Sequence, residues 1–188
     1  MKFLHLSDLP LGRRLGELEL EEDQAFMLHQ LVKLAAEQQV DAVLIAGDIY
    51  DRSVPSIWAV QLLDRFLSEL AEAKLPVYII SGNHDSADRL GYASAFLEQQ
   101  GIHLASVFRG SLERYDLQDE HGPLTLWALP FVKPGAVRHF WPEDTIESYT
   151  DAVRTVIGHA DIDFLRAQPA DGASVCHQRR PAAGGGGQ

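Results

Sequence analysis

A chain of 188 residues with 46% hydrophobic side chains is enough for one domain with a real core. Its formal net charge of -11 argues against a broad basic groove gripping phosphates through Lys and Arg, although bound divalent ions could supply local positive charge. The single cysteine, Cys176, excludes an intramolecular disulfide and a thiolate zinc cluster. Met1-Lys2 leads into an apolar run broken by Asp8, which is not a signal peptide, and no apolar stretch approaches a membrane span. A soluble, cytoplasmic protein is expected.

In chain order, Lys2 to Ser7 reads as a first strand, and Asp8-Leu9-Pro10-Leu11-Gly12 as the turn out of it. Arg13 to Leu20 is polar and reads as loop. Glu21 to Gln39 carries Ala25, Leu28, Val32 and Ala35 at helical spacing, with acids in the first turn where the helix dipole favours them. The acidic run from Glu17 to Asp23 needs no further explanation than a solvated helix start. Val40 to Ala46 is nearly all apolar, as a parallel strand covered on both faces should be. Ser53-Val54-Pro55 opens a second helix, capped at Ser53 or in the following turn and running to about Ala73. Trp58, Leu62, Phe66 and Leu70 form its stripe, read as core packing.

Val77 to Ser81 is the third strand. A helix from roughly Ala87 to Gln100 follows, ended by Gly101 as a left-handed cap, and then a strand from Ile102 to Ser106. Leu112 to Asp116 and Leu124 to Leu129 flank a turn-like segment and read as a β-hairpin. Pro130 to Pro134 leaves the sheet, and Glu143 to roughly Val156 reads as helix. Strand and helix alternate with short links, which predicts an α/β domain over residues 1–167 with a mainly parallel sheet. Residues 168–188, with Pro, Ala, Arg and four glycines, read as a disordered tail. Their texture suggests a shifted reading frame or a truncation, because a further ligand-bearing strand would be expected there.

The chemistry sits at three strand ends. Phe3-Leu4-His5-Leu6-Ser7 ends in Asp8, Leu44-Ile45-Ala46-Gly47 in Asp48, and Val77-Tyr78-Ile79-Ile80-Ser81-Gly82 in Asn83-His84-Asp85. In open α/β sheets ligands bind at the carboxyl ends of the strands. One strand ending in Asp is usually a cap or a turn; three successive ends carrying Asp, Asp and Asn-His point to a metal site. Two hard cations need a carboxylate that reaches both, with oxygen and imidazole donors on either side. Asp48 is the central, bridging candidate, Asp8 would belong to one ion and Asn83 to the other. Gly47 and Gly82 are expected to let the backbone approach the ions. His84 is the candidate proton donor to a leaving oxygen.

Ser7-Asp8-x-x-Leu11-Gly12, Gly47-Asp48-Ile49-Tyr50-Asp51 and Gly82-Asn83-His84-Asp85 resemble the first three motifs of the calcineurin-like metallophosphoesterases. With His5-Leu6 before the first motif, Ser86 after the third and a later Leu129-Pro130-Phe131, they are most similar to the SbcD exonuclease branch, over most of Met1 to about Leu165. The resemblance implies a layered α/β/β/α sandwich, incomplete at the C-terminus. It implies a two-metal phosphodiesterase, usually with Mn2+, acting on DNA ends and hairpins beside an SbcC-type ATPase partner. It also implies a homodimer formed through the helices from Ser53 and from Ala87. It carries Asp8, Asp48 and Asn83 over as metal ligands and His84 as the general acid.

Two departures stand out. The family's first motif reads Asp-x-His, and Pro10 occupies the third position here, with no ligand atom. The later Gly-His and Gly-His-x-His motifs are not found. Gly158-His159 is read either as a ligand or as a surface histidine, and His177 matches nothing. An impaired or inactive chain is therefore expected. The alternatives are a non-catalytic fragment that keeps the fold and a dimer surface, and a phosphoesterase of the same fold acting on another substrate. Arg52 and Arg89 could touch a phosphate backbone or serve as ion-pair partners; His29, His103, His121 and His139 receive no role.

Overall fold

A computed structural model describes residues 1–162. The expected tail at 168–188, the end of the 1–167 domain and His177 lie outside the described residues. No helix among the described residues is long and apolar enough to cross a membrane.

The centre is a four-stranded, wholly parallel sheet. Its strands are β1 (Phe3–Leu6), β4 (Ala42–Ala46), β5 (Val77–Ile80) and β6 (Ile102–Ala105), in that spatial order. Between β1 and β4 the chain forms a two-residue-per-strand hairpin, β2 (Arg14–Leu15) with β3 (Leu18–Glu19), where the sequence reads as loop. Then comes helix α1 (Glu21–Glu37). Helix α2 (Ile57–Glu72) links β4 to β5; its cap is Ser56, in the turn after Ser53, and its hydroxyl accepts the N–H of Ala59. Serine at the N-cap satisfies one of the orphan donors of the first turn.

Side-chain alternation sorts the two faces of the sheet. Val43 and Ile45, Val77 and Ile79, and Ile102 point into one core with Leu28 of α1 and Leu62, Phe66 and Leu70 of α2. Phe66 is 2% exposed and Leu70 fully buried, so the stripe is core; Trp58 is half-buried at its start. On the opposite face Tyr78 and His103 are register partners, stacked with ring centroids 4.8 Å apart. Tyr115 tilts onto both rings from β7 (Glu113–Asp119), which pairs antiparallel with β8 (Gly122–Ala128). The predicted hairpin is therefore a second β layer over the sheet, longer and with a tighter turn than the sequence suggests.

The expected helix from Ala87 to Gln100 is two short helices, α3 (Ala87–Leu90) and α4 (Ser94–Glu98). Ala93 between them takes φ 59°, a left-handed turn without the usual glycine. Gly101 does take the predicted left-handed conformation, with φ 78°. Pro134 starts helix α5 (Pro134–Phe140) rather than closing a loop, and helix α6 (Tyr149–Gly158) begins six residues after Glu143 because Ser148 and Asp151 form a capping box. Val137, Ile146, Ala152 and Val156 bury a second small core there.

Candidate active site at the carboxyl rim of the sheet

Sheet register brings the three motifs together. Leu6 pairs with Ile45 and Ala46 with Ile80, so β1, β4 and β5 end side by side. Two residues further on the match still holds: the N–H of Asp8 donates to the carbonyl of Gly47 at 3.2 Å. The N–H of His84 donates to Asp48 Oδ1 at 3.0 Å. The three turns therefore meet at one rim, and Asp8, Asn83 and His84 are exposed there while Asp48 is half-buried.

Both aspartates take left-handed backbones, Asp8 with φ 55° and Asp48 with φ 50°. Aspartate tolerates that region better than most residues, yet two cases at adjacent strand ends are uncommon. Held conformations of this kind cluster at functional sites. Ser7 donates its hydroxyl to Asp8 Oδ2.

The glycines have a packing role in the structure. A Cβ on Gly47 would lie 2.5 Å from the nitrogen of Gly82, and a Cβ on Gly82 would collide with the carboxylate of Asp48. They let the β4 and β5 turns close on each other, and this places the carboxylate.

Two side chains hold the turns, and sequence reasoning assigns a role to neither. Asp85 accepts the backbone N–H groups of Ile49 at 3.0 Å, Tyr50 at 3.1 Å and Gly82 at 2.9 Å. Buried Gln24 of α1 donates Nε2 to the Pro10 carbonyl at 2.9 Å and accepts the Gly12 N–H at 3.1 Å. A glutamine on the inner, otherwise apolar stripe of α1 is the sequence signal for the second. Leu11 forms a parallel bridge to Tyr50, which fastens the β1 turn to the β4 turn. The Leu129-Pro130-Phe131 segment reaches the same rim, where the Phe131 N–H donates to the Ser81 carbonyl at 2.9 Å.

The donors present are two carboxylates, a carboxamide and an imidazole. These are hard oxygen and nitrogen donors, of the kind that suits a divalent cation retaining several waters. The donor types fit and the number is small. Among the described residues no three His, Cys, Asp or Glu side chains converge closely enough to hold an ion. Pro10 offers only a backbone carbonyl, already used by Gln24.

His159 is engaged elsewhere. It caps α6, stacks on Trp141 with centroids 4.7 Å apart, and its Nε2 lies 2.8 Å from Asp144 Oδ2. That surface triad explains the histidine without a metal. Arg52 is strongly exposed, with Nε 3.6 Å from Asp51, and Arg89 is exposed on α3. The ring of Tyr50 stands behind the β4 turn; burial, then the charges of Asp85 and Asp64, push its phenol up to about 12.

The calcineurin-like phosphoesterase family model matches residues 1–180. Over 165 residues the chain is 33% identical to the SbcD component of the nuclease SbcCD from Staphylococcus saprophyticus, a match covering 85% of this chain and 42% of that protein. The chain thus spans less than half the length of this curated relative.

Proposed function

The chain belongs to the calcineurin-like phosphoesterase family, and on that premise we propose that it is a divalent-metal-dependent DNA phosphodiesterase of the SbcD type with weakened metal binding. Family membership supports a metal-dependent phosphoester hydrolase in general terms. The observation that carries the finer reading is the meeting of the three turns through Asp8–Gly47 and His84–Asp48 contacts at one exposed rim.

In this reading Asp8, Asp48 and Asn83 would hold the divalent ions, with Asp48 the central donor. Bound divalent ions, Mn2+ first among them, would supply Lewis-acid charge at the phosphoryl oxygens. The side chains then have separate tasks. Asp8 and Asp48 hold the positive charge against an otherwise acidic protein, so that a phosphodiester can approach at all. The exposed imidazole of His84 passes a proton from a ring nitrogen to the leaving oxygen. Asp48 Oδ1, by accepting the His84 N–H, fixes where that imidazole emerges.

The relative is named as a component of the nuclease SbcCD, which supports DNA as substrate and an SbcC-type ATPase as partner. Exposed Ile57 and Val60 on α2, and Tyr92 and Phe96 around α4, are apolar side chains that a homodimer would cover. The competing reading, a fragment without chemistry, is favoured by Pro10 and by the short donor set.

Mn2+ titration and hydrolysis of a DNA hairpin by the purified chain separate the two. Measurable Mn2+ binding with slow hydrolysis, both lost in Asp48→Asn, supports the phosphodiesterase. Activity that survives Asp48→Asn removes the metal assignment, and the absence of any Mn2+ binding supports the inert fragment.

A further inference from the structure

Asp85 has no assigned part in the chemistry, yet its one carboxylate takes three backbone donors from two turns. Oδ1 accepts from Ile49 and Tyr50, while Oδ2 accepts from Gly82 at 2.9 Å and more distantly from Ile49 at 3.3 Å. Ile49 follows Asp48 in the chain, and Gly82 precedes Asn83. The carboxylate therefore grips the backbone immediately beside each of the two candidate donors.

We propose that Asp85 is a positioning residue that sets the distance between Asp48 and Asn83 and thereby the affinity of the rim for divalent cations. This rests on the reading of Asp48 and Asn83 as ion donors. Three features of the structure carry it. Asp48 sits at φ 50° directly after Gly47 at φ 80°, a paired left-handed turn that needs outside support. Ile49 and Tyr50 are buried, so their N–H groups have no ready water to replace Asp85. A carboxylate with two oxygens and several lone pairs can serve three donors at once, which a hydroxyl or a single carbonyl cannot match in charge. Side chains that orient metal ligands commonly change metal affinity by about 10- to 100-fold when removed.

The experiment compares the intact chain with Asp85→Ala, Asp85→Asn and a remote core variant, Leu70→Ala. Mn2+ affinity is measured by electron paramagnetic resonance, well below the melting temperature of each protein, and amide exchange is followed by NMR without metal. Asp85→Ala is expected to bind Mn2+ about 10- to 100-fold more weakly and to lose exchange protection at Ile49, Tyr50 and Gly82. Asp85→Asn keeps one acceptor oxygen and presents a donor in place of the other. It should retain protection in one turn, lose it in the other, and bind with intermediate affinity. Leu70→Ala should lower the melting temperature and leave the affinity unchanged.

Unaltered Mn2+ affinity in Asp85→Ala overturns the inference, as does retained protection of the three amides. An equal loss of affinity in Leu70→Ala also overturns it, by reducing the effect to global stability. If the intact chain itself binds no Mn2+, the donor reading of Asp48 and Asn83 fails first and the inference with it. The pattern across the four proteins distinguishes these failures.

Discussion

Gly82 lies directly against Asp48: a Cβ at position 82 would overlap the aspartate's side chain, with Cγ only 2.7 Å away. The glycine is thus a spatial requirement of the carboxylate, set by the closeness of neighbouring parallel strand ends. Gly82→Ala is expected to push the Asp48 side chain aside or to part the two turns. Overpacking of this kind costs about 1–3 kcal/mol. Thermal denaturation should show that loss, and Mn2+ binding should fall by more than the stability change accounts for, because Asp48 has moved. A Gly82→Ala protein with unchanged stability would mean that the two turns do not pack this closely in solution.

The rim is legible in the sequence because each chemistry-bearing residue follows an apolar strand within three positions, and parallel register does the rest. Asp8, Asp48 and Asn83 need no knowledge of loops to be placed. Asp85 is visible as part of a motif, but its work depends on N–H groups of Ile49 and Tyr50, 36 and 35 residues away. Hydropathy carries no trace of such a contact. The break between α3 and α4 is hidden for a related reason: Ala93 adopts a conformation that its side chain disfavours, held by context. Pro134 misleads because proline both ends strands and opens helices, and only the following turn decides which. Gly158-His159 leaves a ligand role open in the sequence; in the structure the imidazole packs on Trp141 and meets Asp144 instead.

Tyr50 predicts an alkaline weakness. Burial, then Asp85 and Asp64, raise its phenol from 10.0 to about 12. Burial, then Glu113, Glu98 and Tyr78, raise Tyr115 to about 12 as well. In both cases folding favours the neutral phenol, so the unfolded chain ionises first. The stabilisation is complete below about pH 10 and is lost as pH rises towards about 12. Denaturant titrations across that interval should show falling stability, and phenolate absorbance should show late-titrating tyrosines. Tyr50→Phe should flatten part of the fall. A stability that stays level through the interval would contradict the burial of Tyr50 and the partial burial of Tyr115.

The second small core should respond to acid through α6. Ser148 Oγ accepts the Asp151 N–H at 3.1 Å, and Asp151 Oδ2 accepts the Ser148 N–H at 3.0 Å. Hydrogen bonds from the Ser148 hydroxyl, then from its backbone, hold the Asp151 carboxyl below its ordinary 3.8. A lowered value means that the contribution is present above pH 3.8 and lost as pH falls through the folded-state value. Ser148→Ala should cost about 1 kcal/mol at neutral pH and make stability less sensitive to acid. Circular dichroism during acid titration of both proteins checks this. An unchanged acid transition in Ser148→Ala would show that the capping box does not form.

Pro10 offers the sharpest test, because stability and chemistry should move in opposite directions. It stands two residues after Asp8, between buried Leu9 and Leu11, in a turn already fixed by Gln24 and by the Leu11–Tyr50 bridge. The backbone path therefore does not depend on the proline ring. Pro10→His would supply an imidazole at the position where the resembling motif carries one, adding a donor to a set whose limitation is number rather than kind. Mn2+ affinity should tighten by about tenfold or more, equivalent to about 1.4 kcal/mol, with hairpin hydrolysis rising alongside. Loss of the proline frees the unfolded chain, so stability without metal should fall by about 0.4–1 kcal/mol. A variant that loses stability and gains no affinity would show that position 10 does not face the ions.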